Sequence, residues 1–349
     1  MLVERSPIPS PPVCRRGGAP IMTSSGISWT FPLACLLVAV TAVLLCFGAL
    51  VTTYDAAMAV PDWPATYGHN MFLFPFAEWF YGPWDLFLEH GHRLLGATVG
   101  LITLALAAAV WLREPSATVR GLVVAAVLLV VVQGALGGAR VLLDDKTVAK
   151  VHACTGPLFF AVAVAIAALT GRSDTGRASP SFVGQASRFP SHQRSALYVA
   201  VALVVAAYMQ LVAGAQLRHL DAAAVSPATF RWLVALHLAG AAAVAALSWT
   251  AVPLCWSHRA AARRWAVVIA LVVACQLALG AGAWFVSWGV PSGLLPASWI
   301  PSEPFAARSG RGAAIVTGHV VLGMMILGGS VAFAISAGLF AKSPARRLA

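Results

Sequence analysis

Eight stretches of about twenty residues without a single Asp, Glu, Lys or Arg limit what this chain can fold into. They are Leu33–Val51, Leu94–Leu112, Gly121–Ala139, Val151–Thr170, Ser195–Leu217, Trp232–Trp256, Trp265–Ser287 and Gly312–Ala341. A bilayer core of about 30 Å takes roughly 20 apolar residues of helix to cross. Barrel strands would be about half that length and would alternate apolar with polar residues. Leu, Val and Ala dominate these runs instead, with glycines that allow close helix packing. They predict an all-α polytopic membrane protein with eight transmembrane helices. Hydrophobic residues make up 60% of the chain and charged residues 10%, against roughly 25% charged in soluble domains. A single soluble core and a disordered chain are both excluded.

Eight crossings leave both termini on one side, and the net charge of +11 tells which. The N-terminal tail, the 113–120, 171–194 and 257–264 loops and the C-terminal tail hold 15 of the 23 Lys and Arg residues, among them Arg15, Arg172, Arg263 and Arg346. Of the 12 acidic residues only Glu4, Glu114 and Asp174 fall on that side. The positive-inside rule makes it cytoplasmic, in a cell membrane. The excess of positive charge therefore reports orientation, and no nucleic-acid footprint is needed. The outer loop 52–92 has no Lys or Arg and carries five carboxylates.

Residues 1–30 are rich in Pro, Ser and Arg, form an expected disordered cytoplasmic tail and lack the apolar stretch of a signal peptide; Met22 is a plausible initiator. None of the six cysteines falls clearly in an outer loop, so no structural disulfide is expected.

The chain repeats itself. Gly48-Ala49 followed by Asp55-Ala56-Ala57 recurs as Gly214-Ala215 and Asp221-Ala222-Ala223, with the same spacing. Gln133 and Gly137 in the third span recur as Gln276 and Gly280 in the seventh. The expected organisation is two pseudo-repeated four-helix bundles of like orientation: 31–171 and 195–341, joined by a cytoplasmic linker, 172–194, and followed by a tail, 342–349.

His92, His152, His237 and His319 lie near the outer beginnings of the second, fourth, sixth and eighth spans, at one depth. Ionisable residues inside a membrane are expensive and usually functional. A single such residue could be a buried histidine bonding a neighbouring helix; two pairs at equivalent places in a repeat point further. Facing imidazoles in a four-helix bundle hold haem iron, whereas zinc takes three or four converging ligands and no cysteine is near. The pairs differ. At 100° per residue, Glu89 and His92 share a helix face while His90 points away, and the sixth span has no acidic residue. A carboxylate beside a reacting ring can act as base or stabilise positive charge. The alternative for Glu89 is an interfacial carboxylate paired with Arg93. Arg140 and Arg218, at outer helix ends, suit either haem propionates or interfacial anchoring. His69, His192 and His258 read as loop residues, and His219 stays ambiguous near an outer helix end.

Several stretches together resemble the haem A synthase family. They are Glu89-x-x-His92-Arg93-Leu94, Gln133-Gly134-x-Leu136-Gly137-Gly138, the His152 span, Gly214-Ala215-x-x-Arg218-His219, the His237 span, Gln276-x-x-Leu279-Gly280 and Gly318-His319 with Gly323. The first outer loop, Met58 to Pro64, is also similar. The resemblance implies an oxidoreductase that converts the C8 methyl group of haem O to the formyl group of haem A for cytochrome oxidase. It implies that His92 and His152 hold the substrate haem, that Glu89 is needed for catalysis, and that His237 and His319 ligate a haem b cofactor. Expected partners are haem O, an electron carrier, haem O synthase, oxidase assembly factors and the bilayer. Some bacterial members carry a cysteine pair in the first outer loop; this loop has none, which argues against thiol-dependent electron delivery there. Two other readings compete on the residues alone. One is a membrane b-type cytochrome passing electrons between quinol and a partner. The other is a transporter built from repeats, which would show broken helices and charges at mid-membrane.

Overall fold

A computed structural model describes residues 29–173, 191–220, 225–256, 260–289 and 308–339. Met22, most of the two tails and the linker, Asp221-Ala222-Ala223 and His258 lie outside the described residues.

All eight expected spans are helices: α1 (Thr30–Tyr54), α3 (Trp84–Arg113), α4 (Ala117–Leu143), α5 (Lys146–Ser173), α6 (Ser191–Arg218), α7 (Pro227–Leu254), α8 (Ala260–Trp288) and α9 (Gly310–Ala337). Among the described residues a ninth, short helix, α2 (Phe76–Phe80), lies in the loop between α1 and α3. Each of the eight is long and apolar enough to cross a membrane. Local signals fix several ends. Ser116, Ser226 and Ser309 accept bonds from the backbone N–H three residues on, the usual N-cap arrangement. α1 stops where Asp55 turns left-handed at φ 58°, and the Ala56 N–H bonds the Val51 carbonyl at 2.8 Å.

All eight helices start before their charge-free runs, by two to ten residues, and two of these shifts bear on histidines. α3 begins at Trp84, so Glu89, His90 and His92 sit within its first turns instead of at its edge. α6 begins at Ser191, which places His192 in a helix and not in a loop. In both, a charged residue in the first turn, Asp85 or Arg194, hides the start from a search for uncharged runs.

Several hydroxyls inside the spans are satisfied locally, as suits a lipid environment. The hydroxyls of Thr41, Thr103, Thr170 and Ser330 each donate to the carbonyl four residues back, at 2.6–2.8 Å.

α1 packs on α3, α3 on α4, α4 on α5, and α5 back on α1. Likewise α6, α7, α8 and α9 close a second ring. One buried cluster, with Leu37, Leu106 and Ile166 at its centre, fills the first ring. A second, built on Leu203, Ile269, Leu327 and Phe333, fills the other. The rings meet through α1, α5, α6 and α9. There the backbone of Gly328 comes so near Phe160 that a Cβ would stand 2.6 Å from the ring. This arrangement brings the N-terminal ends of α3 and α5 together in one ring and those of α7 and α9 in the other.

Candidate functional site

His92 of α3 faces His152 of α5 with ring centroids 6.4 Å apart and planes at 79°. His237 of α7 faces His319 of α9 at 6.3 Å and 71°. Each ring lies over a glycine of an adjacent helix. A Cβ would stand 3.0 Å from His92 at Gly48, 3.4 Å from His152 at Gly137, 3.2 Å from His237 at Gly214 and 2.9 Å from His319 at Gly280. These are the glycines that mark the sequence repeat, so their recurrence has a packing role the sequence alone did not reveal. His319 Nδ1 lies 3.3 Å from the Gln276 carbonyl, and the Gln210 amide is 3.1 Å from His237 Nδ1. On His92 and His152 the buried Nδ1 atoms have no hydrogen-bond partner.

Glu89 is buried, with 2% exposure. Its Oε1 accepts from Arg93 Nη2 at 2.9 Å, with Arg140 Nη2 3.8 Å away, and its Oε2 accepts from the Val60 N–H at 3.0 Å. Arg93 donates in addition to the carbonyls of Val60, Asp62 and Ala65 at 2.7, 2.7 and 3.0 Å. The loop between α1 and α3 is thus drawn onto α3 by one carboxylate and one guanidinium. Arg140 adds a bond to the Ala57 carbonyl at 2.6 Å. Trp63 seats its ring on Gly138 of α4, where a Cβ would stand 2.6 Å away. Gly138 follows Gly137, so Trp63 caps the ring of helices that carries His92 and His152.

The same loop is tied from two further sides. His90, 1% exposed, places Nδ1 3.1 Å from the Thr66 hydroxyl, and Phe74 and Trp79 pack on its ring at 5.3 and 5.2 Å. It points away from His92, as the helical spacing predicts, and into the loop. Asp62 accepts from the Tyr67 and Gly68 N–H groups at 2.9 and 2.8 Å. Slight burial opposes its charge, but those amides and Arg93 outweigh it and hold the carboxyl below its ordinary range.

Arg218 does not reach either histidine pair through a recorded bond. It crosses to the first ring, donating to the Ala49 carbonyl at 2.8 Å and the Thr53 hydroxyl at 2.7 Å. Thr53 in turn meets Thr317 at 3.2 Å. His219, one residue beyond α6, is pushed down to about 4 by burial, with Arg218, Lys150 and Arg140 adding to the effect.

A metal held by one nitrogen from each of two rings, at about 2 Å per bond, separates ring centres by about 6 Å. Both pairs have that spacing. No group of three or more His, Cys, Asp or Glu converges among the described residues, so a bare ion would be poorly held. A planar macrocycle that brings its own equatorial nitrogens needs only an axial pair. The paired donors and the glycine-backed rings fit such a group.

Fold and site together define a multi-pass helical membrane protein with two facing histidine pairs near one end of its spans. Residues 83–235 match the model of the cytochrome oxidase assembly protein family. The similarity covers 153 of the 349 residues. No curated protein matches the chain. The matched stretch contains Glu89, His92, Arg140, His152 and Arg218 and ends two residues short of His237. The second pair therefore rests on its geometry.

Proposed function

We propose that the protein is a haem A synthase, an oxidoreductase converting the C8 methyl group of haem O to the formyl group of haem A. His92 and His152 hold the substrate haem, and His237 and His319 hold a resident haem b. The observation that carries this reading is an asymmetry. The two pairs are alike in spacing, yet a buried carboxylate stands one helical turn from His92, and the described parts of α6–α9 contain no Asp or Glu.

Haem iron supplies the oxidising power that no side chain has. The protein positions and protonates. Glu89 is placed to accept a proton released from the methyl carbon or to stabilise positive charge there. Arg93 and Arg140 orient its carboxylate, and the loop over it excludes water. The lipid-facing helices admit a substrate with a long isoprenoid tail. Arg140 and Arg218 have guanidinium nitrogens beyond those already bonded, which suits them to propionates.

The same reading takes 31–171 and 195–341 as duplicated bundles, for substrate and cofactor respectively. It sets both termini on the cytoplasmic side of the cell membrane, because the Lys and Arg residues gather there. An electron carrier is required as a partner.

The test is Glu89→Gln, which keeps an acceptor for the Val60 N–H but cannot take up a proton. Co-expressed with a haem O source, the variant retains both haems and makes no haem A. Unchanged haem A production removes Glu89 from the mechanism.

A further inference from the structure

The first outer loop carries a second feature that the haem chemistry does not use. Between Phe72 and Trp84, large apolar side chains lie open: Phe72 is 63% exposed, Leu73 78%, Phe76 57%, Tyr81 78% and Trp84 52%. Phe76 and Phe80, both exposed, stack on each other at 4.8 Å. A contiguous patch of this kind on a protein marks a contact surface. Its position limits what the contact is. Trp84 is the first residue of the spanning helix α3, so α2 lies at the level where that helix enters the membrane. Aromatic residues gather at this level because their rings suit the boundary between headgroups and acyl chains. The segment between Tyr54 and Arg93 contains no Lys or Arg, and Glu78 and Asp85 lie within the patch region. Attraction to anionic headgroups is therefore absent, and apolar burial alone would hold the segment.

We infer that residues 72–84 form an interfacial anchor, seated in the outer leaflet at the headgroup boundary, whose occupant is lipid. The inner side of the anchor is as informative as the outer. Trp79 stacks on Phe87 at 5.8 Å and packs against His90 at 5.2 Å, and Phe74 lies 5.3 Å from the same ring. His90 is the residue after Glu89. The membrane surface is thereby coupled, through Trp79, Phe74 and His90, to the loop that Arg93 and Glu89 fasten. The bilayer becomes part of what positions that loop.

Glu78 provides an internal control, because it is an exposed carboxylate about 200° around the helix from Phe76 at 100° per residue. In protein with its native cysteines replaced, nitroxide labels are placed at Leu73→Cys, Tyr81→Cys and Glu78→Cys. The full-length chain is then reconstituted in phosphatidylcholine bilayers. Collision with oxygen is compared with collision with a water-soluble nickel complex. The oxygen-to-nickel ratio is expected to be several-fold higher at 73 and 81 than at 78, and unchanged when anionic lipid is added. Equal ratios at all three positions overturn the inference. So does dipolar broadening at 73 or 81 that disappears on dilution with unlabelled protein, which would mean a second copy covers the patch.

Discussion

Gly280 leaves His319 its place: a Cβ on that glycine would stand 2.9 Å from the imidazole Cε1. The same relation holds for Gly48 and His92 at 3.0 Å, while at Gly137 the distance to His152 is an ordinary 3.4 Å. Neither neighbour at the tight positions is the free end of a long chain, so the ring itself has to move.

Gly280→Ala and Gly48→Ala should therefore each cost about 1–3 kcal/mol through overpacking and shift the imidazole they touch. Gly137→Ala should be nearly silent. Thermal unfolding in detergent measures all three, and equal losses would contradict the account of the glycines.

Arg93 binds three loop carbonyls and the Glu89 carboxylate at once. Arg93→Ala leaves that carboxylate without its nearest cation inside the protein, a loss of roughly 3–5 kcal/mol for a broken buried pair. Hydrogen exchange over residues 57–70 should speed up in the variant. Arg93→Lys should recover only part of the protection, since an ammonium cannot reproduce the planar fork. Wild-type protection in Arg93→Ala would show that the loop is held by other means.

Arg218 ties α6 to α1, and Thr53 passes the contact on to Thr317 of α9. Removing the guanidinium leaves a buried hydroxyl and a carbonyl with fewer partners, worth about 1–3 kcal/mol. Arg218→Ala and Thr53→Val touch one network, so the double variant should be less destabilised than the sum of the singles. Additive unfolding free energies would mean that the two residues act separately.

His219 gives a pH signature. Its folded-state value, about 4, lies below the 6.5 of a free imidazole, so the unfolded chain binds a proton that the folded chain refuses. Stability is then level above pH 7 and falls as pH drops from about 6.5 towards 4. His219→Gln should flatten that slope in unfolding experiments between pH 7.5 and 5. An unchanged slope would show that another group causes the acid sensitivity.

The spans were legible because a missing charge over twenty residues has few explanations in a helical chain. The histidine pairs were legible as partners by order and depth, and the Glu89–His92 face by helical spacing. The start of α3 was not. Asp85, Glu89 and Arg93 hide it from a search for uncharged runs, although they sit where a span meets the loop. Contacts between distant parts of the chain were hidden too. Nothing in the sequence ties Arg218 to Ala49, 169 residues away. Nor does it tie Trp63 to Gly138, since a loop carries no periodicity from which its path could be read. The repeated glycines were visible as a pattern, and only their contact with the four rings supplies the physical reason for them.

The most direct test of two histidine pairs serving two different haems is haem content in single variants. Full-length protein is purified after co-expression with a haem O source, and extracted haems are separated and quantified. Wild type should carry haem b together with haem O or haem A. His237→Ala should lose haem b and keep the second haem, and His92→Ala should do the reverse. A wild-type preparation without haem, or two variants that lose the same haem, would contradict the account.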